Sequence, residues 1–260
     1  MEAIDLRERI VEASDASLLE DSPEPFGSLD RLLDAVEETR QLQGLADIAG
    51  EALTVQKVEP ARAYLRGFAL VRLGKLDEAA KVLVSLCGKL EQEGRWDLLA
   101  ALVPRILETA PSVESARSLA KVGETVGAGK VDPEALERAY DLYPDEERLA
   151  YLMGEQAAAA GRMEEAVGYW AESLDGFVGL KRYDRIEEII LRVADSSRPE
   201  HQRHVLNLLH RLADQGQWHR FTPFFDLALP GIRNAGLMGE LWKLVLHLFP
   251  KAPEFHPDLS

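Results

Sequence analysis

The chain has a single cysteine in 260 residues, few aromatic side chains (7%) and no excess of positive charge. One thiol, Cys87, excludes an intrachain disulfide and fits a reducing compartment, so the cytoplasm is the expected location. Thirty Lys and Arg stand against 45 Asp and Glu, a formal charge of −15. That balance argues against direct nucleic-acid binding and against anionic membrane surfaces, because both depend on Lys and Arg displacing counterions from phosphate. No apolar run approaches the length of a bilayer span. The N-terminal MEAIDLRERIVEAS also lacks the basic stretch and apolar core of a secretory signal.

What the chain does have is enough apolar material, 46%, to bury a sizeable core. Its acidity is uneven: residues 1–60 hold 15 acidic and 5 basic side chains, and the last 60 residues are close to neutral. Residues 1–27, with Asp21-Ser-Pro-Glu-Pro, read as an acidic helix followed by a connector. Beyond them, apolar residues recur at spacings of three and four, as in Leu76, Ala79, Ala80, Leu83, Leu86 and Leu90, and in Tyr183, Ile186, Ile189, Ile190 and Val193. This is the period of amphipathic helices, and strand-like alternation is absent. Cys87 lies on the first of these stripes and reads as a small core residue. Short breaks at Gly74, Gly94, Gly127-Ala-Gly129, Gly161 and Gly216 suit turns between antiparallel helices, and Ser28, Ser112 and Asp132 before Pro133 are candidate helix caps. The pattern predicts roughly thirteen helices, near 28–42, 44–57, 61–73, 76–93, 95–109, 114–127, 133–142, 147–160, 163–179, 182–195, 200–215, 218–229 and 237–249.

Residues 61–111 and 148–198 align without a gap at an offset of 87. The matches include Ala63-Tyr64-Leu65-x-Gly67 with Ala150-Tyr151-Leu152-x-Gly154, then Gly74/Gly161, Glu78/Glu165, Ala79/Ala166, Arg95/Arg182 and Asp97/Asp184. Leu32, Leu119 and Leu206 extend the same spacing, which divides residues 28–260 into blocks 28–112, 113–199 and a truncated 200–260. A fixed period of this kind marks a helical array in which each unit buries its apolar face against its neighbours. The offset spans about five helices, whereas a strict two-helix array repeats over an even number.

The spacing Gly67, Gly74, Ala79 and again Gly154, Gly161, Ala166, Trp170 resembles the tetratricopeptide repeat, with 73–80 and 160–167 as its two convincing copies and Gly94-Arg-Trp96 to Pro111 as a weaker third. In that family a small residue on the first helix, a glycine at the turn and an alanine five residues later let two antiparallel helices pack closely. The resemblance implies an all-α, right-handed solenoid of antiparallel helix pairs over residues 28–260, working as a protein-interaction or scaffolding module. Some members hold a peptide's terminal carboxylate with Lys, Arg and Asn on the inner helices, by charge-assisted hydrogen bonds. The inner positions here would be Tyr64, Phe68 and Arg72 in one repeat and Arg148, Tyr151 and Glu155 in the other, without the Asn/Lys set. Tyr64, Phe68 and Tyr151 could line a groove or could pack within their repeats.

Catalytic and cofactor signatures are missing. The run Gly123-Glu-Thr-Val-Gly-Ala-Gly129-Lys130-Val131 has glutamate where a phosphate loop needs its first glycine and valine where it needs Ser or Thr, so it reads as a turn between helices. His201 and His204 share a helix face, but only Glu200 is a nearby carboxylate, and His210 and His219 are expected to project elsewhere, so no metal site is expected. The carboxylate pairs Glu164-Glu165 and Glu187-Glu188, and the triplet Asp145-Glu146-Glu147, suit helix first turns or polar faces. No nucleophile turn is present, and the expectation is a protein that is not an enzyme and uses no cofactor.

The last predicted helix carries Leu237, Met238, Leu241, Trp242, Leu244, Val245, Leu246, Leu248 and Phe249, apolar nearly all round. The end of a solenoid normally presents a polar face. Leu237, Leu241, Trp242, Val245 and Phe249 are therefore candidates to meet another protein, a further domain or a second copy of the chain, with Leu241 and Trp242 on the solvent side. Two alternatives stand beside this reading. One is a regulatory helical domain of the transcription machinery, since the acidic, Leu-rich style is similar to helical extensions of Gre-type transcript-cleavage elongation factors. The other is a helical small-molecule-binding protein.

Overall fold

The computed structural model describes residues 3–15, 24–51 and 59–248, and among them every regular element is helical. The chain divides into two compact units, Met1–Tyr143 and Pro144–Ser260. The first holds α1 (Ala3–Asp15), α2 (Gly27–Glu38), α3 (Leu42–Glu51), α4 (Pro60–Arg72), α5 (Leu76–Gln92), α6 (Trp96–Thr109), α7 (Val113–Val126), a 3-10 turn at Ala128–Lys130 and α8 (Pro133–Leu142). The second holds α9 (Glu147–Ala159), α10 (Met163–Gly179), α11 (Tyr183–Val193), α12 (Pro199–Asp214), α13 (Trp218–Asn234) and α14 (Met238–Leu248). Thirteen of these fourteen are the helices read from periodicity, and α1 is the acidic N-terminal helix, anchored by its buried Leu6 and Ile10. Within each unit the main packing joins helices one or two places apart in the chain, apart from a contact between α1 and α4.

The turns repeat one device. At Gly74, Gly94, Gly161, Gly216 and Gly236 the backbone enters the left-handed region, with φ between +68 and +76°. The next residue's N–H then donates to the carbonyl five residues back, as in Lys75 to Leu70 and Arg162 to Ala157, both at 2.9 Å. This closure satisfies carbonyls that the helix end would leave unpaired, and glycine suits it because it has no Cβ to clash. Arg40 and Lys181 make the same closure at φ 56°, donating from Gln41 to Val36 and from Arg182 to Phe177. With no glycine to mark it, the turn at Arg40 gave no signal, and α2 ends at Glu38 rather than 42. Conversely, α13 runs through Pro223 and Pro230 to Asn234, past the predicted stop at 229.

Two predicted caps are present. Ser112 and Ser115 form a reciprocal capping box, and the Asp132 carboxylate accepts from the Glu134 N–H ahead of Pro133. Ser28 is not a cap: Phe26 holds that position, and the Ser28 hydroxyl donates to the Ala13 carbonyl, fastening α2 to α1.

The two aligned segments build the same helix pair twice, α4 on α5 and α9 on α10, and the offset spans five α-helices as counted from the sequence. Ala79 and Ala166 are fully buried. A Cβ on Gly67 would stand 2.5 Å from Leu83 Cδ2, and one on Gly154 only 2.4 Å from Trp170 Cδ1 and 3.1 Å from the Ala166 carbonyl. These glycines bring the paired helices together at distances no larger residue permits without movement.

Candidate functional site

Of the six inner-helix candidates, Tyr64, Phe68 and Tyr151 are buried, while Arg72, Arg148 and Glu155 are held in ion pairs. Tyr64 is completely buried, its ring stacked on Phe26 at 4.6 Å and packed on Phe68 at 4.5 Å. Its hydroxyl donates to Asp30 Oδ1 at 2.6 Å, and Asp30 Oδ2 accepts from Arg105 at 2.8 Å. The Arg105 guanidinium lies 5.5–5.9 Å from the centres of all three rings, within cation–π range. Arg72 is held by Glu37 at 2.6 Å and Asp34 at 2.7 Å. These contacts bury Tyr64 and Phe68 between α4, the start of α2 and Arg105 of α6.

The second unit places an arginine at the same register, since Arg192 follows Arg105 by the 87-residue offset. Arg192 lies 4.5 Å from the centre of the Trp170 ring and pairs with Glu155 and Glu188. Glu155 occupies the position of Phe68, and it also accepts from Trp170 Nε1 at 3.1 Å. Buried Tyr151 packs edge-on against Phe177 at 5.6 Å and accepts at its hydroxyl from Arg185, 3.0 Å away. Arg148 pairs with Glu146 at 2.6 Å, both side chains largely buried. One register thus carries a ring stack under an arginine in the first unit and an ion-pair network in the second. Tyr151, like its counterpart, is buried against other helices of its unit.

Burial, reinforced by the Asp30 hydrogen bond, raises the Tyr64 phenol far above its ordinary range, and burial also raises Tyr151. Cys87 is pushed up to about 12 by burial, which leaves no thiolate for nucleophilic work near neutral pH. Glu164 and Glu165 lie in the first turn of α10, where they favour the helix dipole, and Glu188 is shared between Arg185 and Arg192. In the glycine run at 123–131, Gly123 belongs to the last turn of α7, and the turn to α8 starts at Gly127, with φ 98°.

Of the C-terminal candidates, Leu237, Leu241 and Val245 are buried, together with Leu244, and α14 packs on α12 and α13. Placing Leu241 on the solvent side is therefore incorrect. Its side chain points into the unit, and only Trp242 of that pair faces out. Phe249 lies outside the described residues. Trp242 is 47% exposed and Leu246, one turn on, 67%. Spaced by four residues, they make an apolar stripe on one face of α14, flanked by exposed Lys243 and His247. Leu246 was not singled out from the sequence because nothing in an all-apolar helix shows which side meets its own unit.

A second surface feature had no linear signal. An open hollow of about 900 Å³ lies where the N-terminal turns of α10 and α12 meet, lined by Met163, Tyr169, Glu164, Glu165, Glu172, Glu200, Arg162 and Arg198 among others. A smaller hollow of about 450 Å³ adjoins it, sharing Met163, Glu164, Arg198 and His201. Arg162 pairs with Glu165 at 2.8 Å, and Arg198 pairs with Glu164 and Glu200.

His201 and His210 stand in different surroundings. His201 is buried, its ring Nδ1 2.9 Å from the Ser196 hydroxyl, and burial lowers its pKa. His210 sits apart from His201, beside Asp214 on α12 and His247 on α14. No described helix is long and apolar enough to cross a membrane. Compared with known proteins, the chain matches no family model and no curated protein.

Proposed function

We propose that this chain is a non-catalytic, tetratricopeptide-like interaction module that docks another protein on the exposed side of its C-terminal helix. The observation that carries the reading is the division of α14 into two faces. Leu237, Leu241, Leu244 and Val245 are buried, at roughly 1.5–3 kcal/mol each, and hold an 11-residue helix that would be marginal in isolation. Leu246 stays mostly in water, and Trp242 keeps about half of its surface exposed. Tryptophan is the residue type most enriched among those that dominate binding energy at protein interfaces. The doubled helix pair supports a solenoid scaffold: consecutive helices pack across short glycine turns, and their contacts stay close in sequence. The raised pKa values of Tyr64 and Cys87, and the ion-pairing of the acidic side chains, support a binding role over chemistry.

The test is comparative affinity purification of the full chain from its native cell, with wild type set against a Trp242→Glu/Leu246→Glu variant. The variant should keep its helical circular dichroism and lose about 1–2 kcal/mol from the packed half of Trp242, whereas Leu246→Glu alone should stay within about 0.5 kcal/mol of wild type. A protein recovered stoichiometrically with wild type, and lost with the variant, is the expected result. Equal recovery with both would remove α14 as the docking surface.

A further inference from the structure

We propose that His210, Asp214 and His247 form a surface site for a divalent transition-metal ion of the zinc class, bridging α12 to α14. His210 and Asp214 are four residues apart on α12 and so share a face. His247 comes from the last turn of α14, 33 residues beyond Asp214, which is why the sequence alone does not reveal the set. One nitrogen from each imidazole and one carboxylate oxygen all lie within 4.8 Å of one another. His210 Nε2 is 3.5 Å from Asp214 Oδ2, and His247 Nε2 is 3.8 Å from Asp214 Oδ1. Two ligand atoms bound to one tetrahedral zinc ion, at bonds of about 2.0–2.1 Å, stand about 3.4 Å apart. Small rotations of these half-exposed side chains, whose imidazole centres are 5.5 Å apart, bring all three to that spacing.

The donor set selects the ion. Two imidazoles and one carboxylate suit zinc, nickel, cobalt or copper, whereas calcium and magnesium prefer oxygen throughout. Because the two histidines sit on different helices, the ion ties α14 to α12 whatever α14 itself binds. The site stands on these three side chains alone and is independent of the docking role proposed for Trp242 and Leu246.

The experiment uses the full chain without a polyhistidine tag, titrated with zinc chloride by calorimetry and by competition with a chromogenic chelator. One equivalent should bind saturably. His247→Ala and Asp214→Asn should each weaken that binding by at least about tenfold, since even outer-shell changes cost 10- to 100-fold at metal sites. His219→Ala, an exposed histidine outside the set, should leave it unchanged. As an independent readout, zinc should slow amide exchange in α14 of the wild type and not in His247→Ala. Absence of saturable binding, or equal affinity in wild type and a His210→Ala/Asp214→Asn/His247→Ala variant, would overturn the site.

Discussion

At the scale of single residues, the clearest asymmetry between the repeats lies at one turn. Gly94 closes α5 at φ +69°, and its counterpart 87 residues on is Lys181, held at φ 56°. An L-residue in the left-handed region costs about 1–2 kcal/mol, partly offset by the 0.5–1 kcal/mol that glycine gives up in unfolded-chain entropy. Lys181→Gly should therefore stabilise the protein by up to about 1 kcal/mol, measured by urea denaturation. A loss of stability would show that the lysine side chain makes a contact worth more than the strain. The same scale explains why Tyr64 and Tyr151 were ambiguous in sequence. A tyrosine at a helical i, i+4 position looks alike whether its ring lines a groove or a core, and what decides is a partner far along the chain: Phe26 and Asp30 for Tyr64, Phe177 and Arg185 for Tyr151.

Among the elements, the helix pairs were legible because their signals are local. The three- and four-residue spacing of leucines sets each helix, and turn glycines such as Gly74 and Gly94 end several of them, so α4 and α5 fall within a residue of the bounds read from sequence. The repeat glycines were also legible, but their unequal weight was not, because it depends on what they face. Gly67 meets the Cγ and Cδ2 of buried Leu83, a side chain that can change rotamer, whereas Gly154 meets a rigid indole and a carbonyl that cannot turn aside. Gly67→Ala should thus cost the less of the two, because Leu83 can repack and alanine's better helix propensity offsets about 1 kcal/mol of the strain. Gly154→Ala should cost on the order of 1–3 kcal/mol by overpacking. Thermal or chemical denaturation of the two variants checks the ranking, and equal effects would mean that the α9–α10 pair has room to spread.

For the whole molecule, the helical class and the doubling follow from periodicity, while the candidate sites come from residues that only folding assembles. The hollow between α10 and α12 and the His210–Asp214–His247 set each draw on separate helices, and the outward face of α14 is defined only by what α12 and α13 cover. The central claim is that this outward face, and no internal chemistry, is where the chain acts. Site-specific photocrosslinking in the native cell tests it most directly, with a benzophenone amino acid placed at Trp242 or, as a control, at exposed Lys130 of the first unit. The account predicts one discrete protein adduct from position 242 and none from position 130. No adduct at 242, or the same adducts from both positions, would contradict it.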